Sequence, residues 1–444
     1  MKPLCFVLMP FGKKPDGAGG IVDFDAVYRE LISEAITDAG FEPLRADEEV
    51  TGGIIHKPMF ERLILCGYAD ADLTTANANV FYELGVRHAV RPWSTVLIYA
   101  DGARLPFDVA PQRALPYKLA TTGLPTEVEG TRRVLADRLV AAREADTDSP
   151  IFQLVEGLPA PQVDHTKTDV FRQLVRYSAE MKQRLTAARG KGVEALQEIE
   201  QELGPIADVE GGVVIDLFLS YRAVSSWDAM IDLVGKMSLP LASTAMVREQ
   251  LALALNRAGD GEQAERVLTE LIARRGPSSE TYGILGRVYK DRWTAAKVRG
   301  SAVLARGLLE KAVDAYLKGF EADWRDAYPG INAVTLMELK EPPDPRRELL
   351  LPVVAYAVAS RIERGAPDYW DYASRLELAV LGKDEDVGAA ALADALAAVR
   401  EGWEAESTAT NLGLIREARV VRGEQVEWAA EAERLLLERA QARS

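Results

Sequence analysis

Two carboxylates frame the segment from Ala69 to Gly85: Asp72 ends an apolar strand, Glu83 lies in the helix that follows, and Thr74, Thr75, Asn77, Asn79 and Tyr82 fall between them. Polar groups gathered at the carboxyl end of a strand in an open α/β sheet can hold a sugar or nucleoside. An ionised Glu83 could attack an anomeric carbon or stabilise the positive charge that develops there, while Asp72 positions a sugar hydroxyl or protonates the departing base. Asn79 and Glu83 are four residues apart and share a helix face, which Arg87 extends by one turn. Burial would raise the Glu83 pKa and Arg87 would lower it. Taken singly, Asn77 reads as a helix cap and Glu83 as the surface partner of Arg87. Taken with the Asp, Thr and Asn residues around them, they read as a site, and N-glycosidic chemistry is the expected activity.

Such a site needs strands and helices to carry it. Up to about residue 145, short apolar runs alternate with helical patterns, the signature of a parallel sheet wrapped by helices. Strands are expected at Leu4–Leu8, Glu42–Arg45, Ala69–Leu73, Thr95–Tyr99 and Leu115–Leu119, and helices at Phe24–Ala39, Ile54–Gly67, Asn79–Val90 and Thr131–Ala145. Right-handed crossovers then favour a doubly wound, flavodoxin-like sheet. Four loops converge beyond its strand ends: Pro10, Phe11 and Gly12, then Ala46 and Asp47, then Thr74 to Asn77, then Asp101 and Gly102. His56, near the start of the second helix, could reach the same cleft. Gly17 to Gly20 fits neither a dinucleotide fingerprint nor a Walker loop, and reads as a flexible lid. The histidines and cysteines lack metal-ligand spacing, so neither a metal nor a cofactor is expected.

The chain has 444 residues, enough for two or three cores. Its net charge of -15 argues against general attraction to nucleic-acid phosphates or anionic lipid. No run approaches the roughly 20 apolar residues of a membrane span. With two cysteines and no apolar leader, a cytoplasmic protein is expected.

Residues 146–205 read as a linker and bridging helix, with a Pro-rich stretch at Gly157 to Pro161. Beyond it the apolar residues recur at helical spacing. Leu251, Ala252 and Leu255 align with Leu285, Gly286 and Tyr289 at an offset of 34, the length of a tetratricopeptide repeat. Small residues at 252 and 286 let paired helices approach. Ala312, Tyr316 and Gly319 continue the pattern after an insertion around Trp293 to Arg306. We therefore divide the chain into an α/β domain at 1–145, the bridge at 146–205, tetratricopeptide-like repeats at 206–340 and C-terminal helical repeats at 341–444.

Phe6 to Gly12, the strand end at Ala71 to Thr75, and Asn77-Ala-Asn-Val-Phe-Tyr-Glu-Leu-Gly85 resemble the nucleoside 2-deoxyribosyltransferase-like superfamily, related in fold to TIR domains, over roughly residues 1–120. That resemblance implies Glu83 as nucleophile and Asp72 as its assistant; the reading of the loops and helix starts places Pro10, Phe11, Gly12, Asp47, His56, Thr74, Thr75, Asn77, Asn79 and Tyr82 around the substrate. The remainder is similar to the MAP3K TRAFs-binding domain known from apoptosis-signal-regulating kinases, which implies a protein-binding scaffold in stress or immune signalling. No kinase signature follows it. The leading expectation is an N-glycosidase or transferase on a nucleoside, nucleotide or NAD-like molecule, controlled by partner binding or self-association of the helical array. A non-catalytic nucleotide-sensing scaffold is the alternative, and a purely structural interaction protein the third reading.

Overall fold

The computed structural model describes residues 2–16, 20–45, 56–105, 114–144, 147–155, 157–159, 161, 177–178, 180–364, 367–424 and 427–443. The chain divides into two compact units, Met1–Ser220 and Tyr221–Ser444.

The first unit is built on strands β1 (Leu4–Leu8), β4 (Glu42–Arg45), β5 (Tyr68–Asp72), β6 (Thr95–Ala100), β7 (Leu115–Leu119) and β8 (Pro125–Thr126), in the spatial order β4-β1-β5-β6-β7-β8. The neighbours run parallel except β7 and β8, which pair antiparallel, so the sheet is mixed. A separate hairpin joins β2 (Lys13–Pro15) to β3 (Ile21–Asp23). Every residue of β1 is buried, as expected for a parallel strand covered on both faces. Its side chains alternate between two cores. Cys5 and Val7 pack with α1 (Phe24–Val27), a π-helical turn at Tyr28–Ile32, α2 (Ser33–Asp38) and α5 (Val128–Ala141). Leu4, Phe6 and Leu8 pack with α3 (His56–Leu65) and α4 (Ala78–Val90).

Strands and helices thus lie close to the expected places, with three differences. The helix expected at Phe24–Ala39 contains the π turn. The helix expected from Thr131 starts at Val128, after Glu127 in a left-handed conformation (φ 52°). The β2–β3 hairpin and β8 are additions to the expected strands; three-residue and two-residue strands carry too little periodicity to be seen.

After β8 and α5, α6 (Pro150–Leu154) opens the segment read as a linker. Its start is docked: the Ser149 hydroxyl donates to the carbonyl of His88, and Asp148 accepts the amide of Thr95. Helix α7 (180–189), α8 (Val193–Leu203) and a 3₁₀ turn at Ile206–Asp208 follow, and α9 (Gly211–Ala223) spans the boundary between the two units.

The second unit is all helical: α10 (Trp227–Lys236), α11 (Leu239–Ala242), α12 (Ala245–Arg257), α13 (Gly261–Arg275), α14 (Ser279–Val298), α15 (Ala302–Ala322), α16 (Ala327–Glu338), α17 (Arg346–Arg364), α18 (Tyr369–Gly382), α19 (Glu385–Ala398), α20 (Gly402–Val421) and α21 (Glu427–Gln441). From α12 onward they form antiparallel pairs, and the first helices of successive pairs, α12, α14, α16, α18 and α20, pack side by side. The insertion around Trp293 to Arg306 is not a loop. It lengthens α14 and α15, and Trp293, Ala296, Ala305 and Leu308 fill the seam between them.

The small positions of the repeat do what the pattern requires. A Cβ added to Gly286 would lie 2.6–2.8 Å from the Tyr316 ring, which is fully buried between the paired helices. Neither can give way, so overpacking strain is unavoidable. We expect Gly286→Ala to cost about 2–3 kcal/mol, read as a lower chemical-denaturation midpoint of the helical unit, whereas Gly307→Ala, with open space around it, should be neutral or slightly stabilising.

Candidate functional site

Asp72 ends β5 and is buried, 1% exposed. Its acceptors are committed: one oxygen takes the Thr74 amide at 2.9 Å and the Thr74 hydroxyl, the other takes the Tyr117 hydroxyl at 2.8 Å. Thr74 Oγ1 in turn accepts the Ala100 amide at 2.9 Å. The cluster therefore ties together the ends of β5, β6 and β7. Burial pushes the Asp72 carboxyl up to about 6, with the Thr74 and Tyr117 hydrogen bonds holding it down. Two residues earlier on the same sheet face, Asp70 is fully buried with neither oxygen hydrogen-bonded among the described residues, and burial together with Asp72 pushes it well above the usual carboxylate range.

The loop then turns through Ala76 in a left-handed conformation (φ 48°). Asn77 caps α4, its side-chain oxygen accepting the amides of Asn79 (2.9 Å) and Val80 (3.3 Å). Thr75 is half-buried, Asn79 is exposed, and Tyr82 is exposed with its ring edge-on to Phe60 at 6.3 Å.

Glu83 is half-buried and makes no hydrogen bond or ion pair among the described residues. Burial pushes its carboxyl up to about 7. The expected partner is elsewhere: Arg87 is fully buried and turns inward to the carbonyls of Leu63, Cys66 and Gly67. Those are the last carbonyls of α3 and its exit turn, which no intrahelical amide satisfies. Arg91, one turn on, does the same for Ile64. The helix face read as one polar stripe is thus divided, with Asn79 on the surface, Glu83 half-buried and Arg87 in the interior.

This geometry gives a pH prediction. The Glu83 pKa rises from an ordinary 4.5 to about 7 on folding, so the folded state holds the proton more tightly. The relative stability this confers is full below about 4.5 and lost as pH rises through about 7. Glu83→Gln should leave stability unchanged at pH 4 and raise it by about 1–2 kcal/mol at pH 8; an equal effect at both pH values would remove the assignment.

At the end of β1, Pro10 is buried, and Phe11 and Gly12 meet residues that sequence reading missed. The Arg45 guanidinium lies over the rings of Phe11 (5.0 Å) and Tyr28 (4.4 Å) and pairs with Asp25 at 2.9 Å. Asp25 also accepts the Gly12 amide at 3.3 Å, and Gly12 sits at φ 66°, open to glycine. Asp47 lies outside the described residues, and so do Gly17, Ala18 and Gly19 of the expected lid; of His56 only the backbone, opening α3, is described. The structure therefore gathers the expected residues into two clusters, Asp72 and Thr74 with Tyr117, and Phe11 and Gly12 with Arg45, Asp25 and Tyr28. Among the described residues no group of three or more His, Cys, Asp or Glu could hold a metal ion, and no helix is long and apolar enough to cross a membrane.

The model of the MAP3K TRAFs-binding domain matches residues 80–435. Mitogen-activated protein kinase kinase kinase 6 of Homo sapiens is 29% identical over 289 residues, covering 58% of this chain and 21% of that protein. Mitogen-activated protein kinase kinase kinase 15 of Mus musculus is 26% identical over 312 residues, 62% of this chain and 23% of that protein. This chain thus spans about a fifth of the length of these curated relatives. A thermophilic TPR protein of Thermus thermophilus aligns with 46% of this chain and 99% of its own at 18% identity and a TM-score of 0.35.

These matches correct two expectations. The match begins inside α4, so the matched domain takes in the second half of the sheet unit as well as the helical array. The relatives are kinases of a signalling cascade matched through a protein-binding domain, which overturns the expectation that this chain cleaves or transfers at an N-glycosidic bond. With the match running over most of its length, the chain belongs to the MAP3K TRAFs-binding domain family.

Proposed function

We propose that this chain is a non-catalytic signalling scaffold whose helical array docks a protein partner of the TRAF type. The observation that carries the reading is the extent of the family match, which runs from α4 through the paired helices to α21. The side-by-side first helices of each pair form a continuous surface, the feature by which helical repeats take extended partners. A direct test is calorimetric titration of the intact chain with a purified TRAF-family protein. Saturable binding is the expected result, and its absence at concentrations well above the micromolar range would overturn the reading.

The sheet unit is read as the sensing part of the same scaffold, in the cytoplasm. Its strand order, with helices on both faces, supports the finer view of a doubly wound, flavodoxin-like sheet. The likeness of its strand-end motifs to nucleotide-handling domains supports a nucleotide as the ligand, bound without turnover near Phe11, Gly12, Thr75, Asn79 and Glu83. Asp72, with its acceptors already engaged, is given a positioning role for Thr74 and the loop that follows. A nucleotide that is sensed should raise the thermal midpoint and be recovered unchanged; a panel that shifts nothing sinks this part while leaving the protein-docking part intact.

A further inference from the structure

Three successive first helices open on the same pattern, an acid at the N-cap and an aromatic two residues later: Asp326 and Tyr328 on α16, Asp368 and Trp370 on α18, Glu401 and Trp403 on α20. Cap chemistry accounts for the acids: Asp326 and Asp368 take first-turn amides, and Glu401 shares a capping box with Glu404. It does not account for the aromatics. Tyr328 turns its ring edge-on to Tyr316 at 6.1 Å. The two indoles pack on each other instead, with centroids 5.6 Å apart and planes at 40°, and remain 37% and 56% exposed.

Both rings are held in place from behind. Trp370 stands against the Tyr369 ring at 5.2 Å, and the Tyr369 hydroxyl donates to Thr408 on α20. Trp403 donates its indole N–H to Glu401. The described cations nearby are already paired. Arg361 is paired with Asp371 and Arg400 with Glu404, whereas Asp368 and Glu401 have no cation beside them among the described residues. Two fixed π faces in a negative field attract a cation and repel a carboxylate or phosphate.

We propose that Trp370 and Trp403 dock an arginine-bearing segment of a partner protein. The guanidinium lies over the indoles, and Asp368 and Glu401 neutralise it. A guanidinium suits the pair better than an ammonium because it is planar, stacks on aromatic faces and is less strongly hydrated. The inference rests on the reading of the array as a docking surface and names the chemistry of what it takes.

The test is titration of the intact chain with a capped peptide of alternating glycine and arginine, and with its citrulline isostere, followed through the indole N–H resonances. We expect the arginine peptide to shift the Trp370 and Trp403 signals saturably and the citrulline peptide to bind at least about tenfold more weakly. Trp403→Leu and Glu401→Gln should each weaken arginine binding several-fold at an unchanged thermal midpoint. Trp324→Leu, which removes an indole 68% exposed outside the pair, should change nothing. Equal binding of both peptides, survival of binding in Trp403→Leu, or no saturable binding overturns the proposal. A TRAF-family protein that binds wild type and Trp403→Leu alike leaves the scaffold reading standing and sinks this one for that partner; one that binds neither sinks the scaffold reading, and the peptide result still decides this site.

Discussion

Replacing Arg87 by alanine should destabilise the sheet unit by about 3–5 kcal/mol, the range for breaking a buried charged network by removing one partner. The guanidinium donates to Leu63 O at 2.9 Å, Cys66 O at 2.7 Å and Gly67 O at 2.9 Å, and to the hydroxyls of Ser94 (3.1 Å) and Thr95 (3.3 Å). Truncation strands the Leu63 and Cys66 carbonyls, while Gly67 keeps the Ser94 hydroxyl, in a site with no exposure, and leaves a cavity besides. The charge is tolerated there because the carbonyl end of α3 carries partial negative charge; burial still pushes the guanidinium down to about 10. Arg87→Lys should recover little, since one ammonium cannot span carbonyls that a planar fork reaches from two nitrogens. Hydrogen exchange of the β5 and α4 amides in the intact chain is the suitable measurement, because a chain of two units need not unfold in one step. Unchanged protection in Arg87→Ala would show that α3 keeps its end without the arginine.

That network also shows where sequence reasoning stops. The strands were legible because a parallel strand covered on both faces is a continuous apolar run, as Leu4–Leu8 is. The repeat was legible because close helix approach demands a small residue, and Gly286 against Tyr316 obeys that demand. The direction of a polar side chain on a helix is a different matter. Glu83 and Arg87 stand at ion-pair spacing, and spacing alone predicts that they meet. What decides is the set of carbonyls left open at the end of α3, a partner more than twenty residues away in sequence. Asp72 is similar: its place at a strand end is readable, but its saturation by Tyr117 depends on the register of β5, β6 and β7. Residues that read as chemistry in sequence are, in the fold, partly the means by which strand ends and helix ends are satisfied. The proposed docking role rests instead on the helical array, which the family match covers together with the second half of the sheet unit.

The second large effect is expected at Glu338, the last residue of α16. Its carboxylate is 1% exposed and accepts from Arg419 Nε at 2.8 Å and Arg422 Nη2 at 2.5 Å, with Arg347 of α17 paired to it as well. Arg419 continues to the carbonyls of Val380 (2.8 Å) and Leu381 (3.0 Å) at the end of α18. One acid thus holds three guanidiniums and, through them, links α16, α17, α18 and α20. Glu338→Gln keeps the shape and removes the buried negative charge; Arg422 keeps Glu424 and Arg347 keeps Glu348, while Arg419, 4% exposed, is left with Glu424 only at 4.0 Å. We expect a loss of about 3–5 kcal/mol from the helical unit, read by chemical denaturation. The double variant Glu338→Gln with Arg419→Met should be less destabilised than the sum of the single changes, because it removes a buried cation along with its anion. Additivity would mean that the three arginines do not share the carboxylate as a unit. The same variants bear on docking: α18 and α20 carry Trp370 and Trp403, so loosening their attachment should weaken the arginine peptide without any change at the indoles themselves.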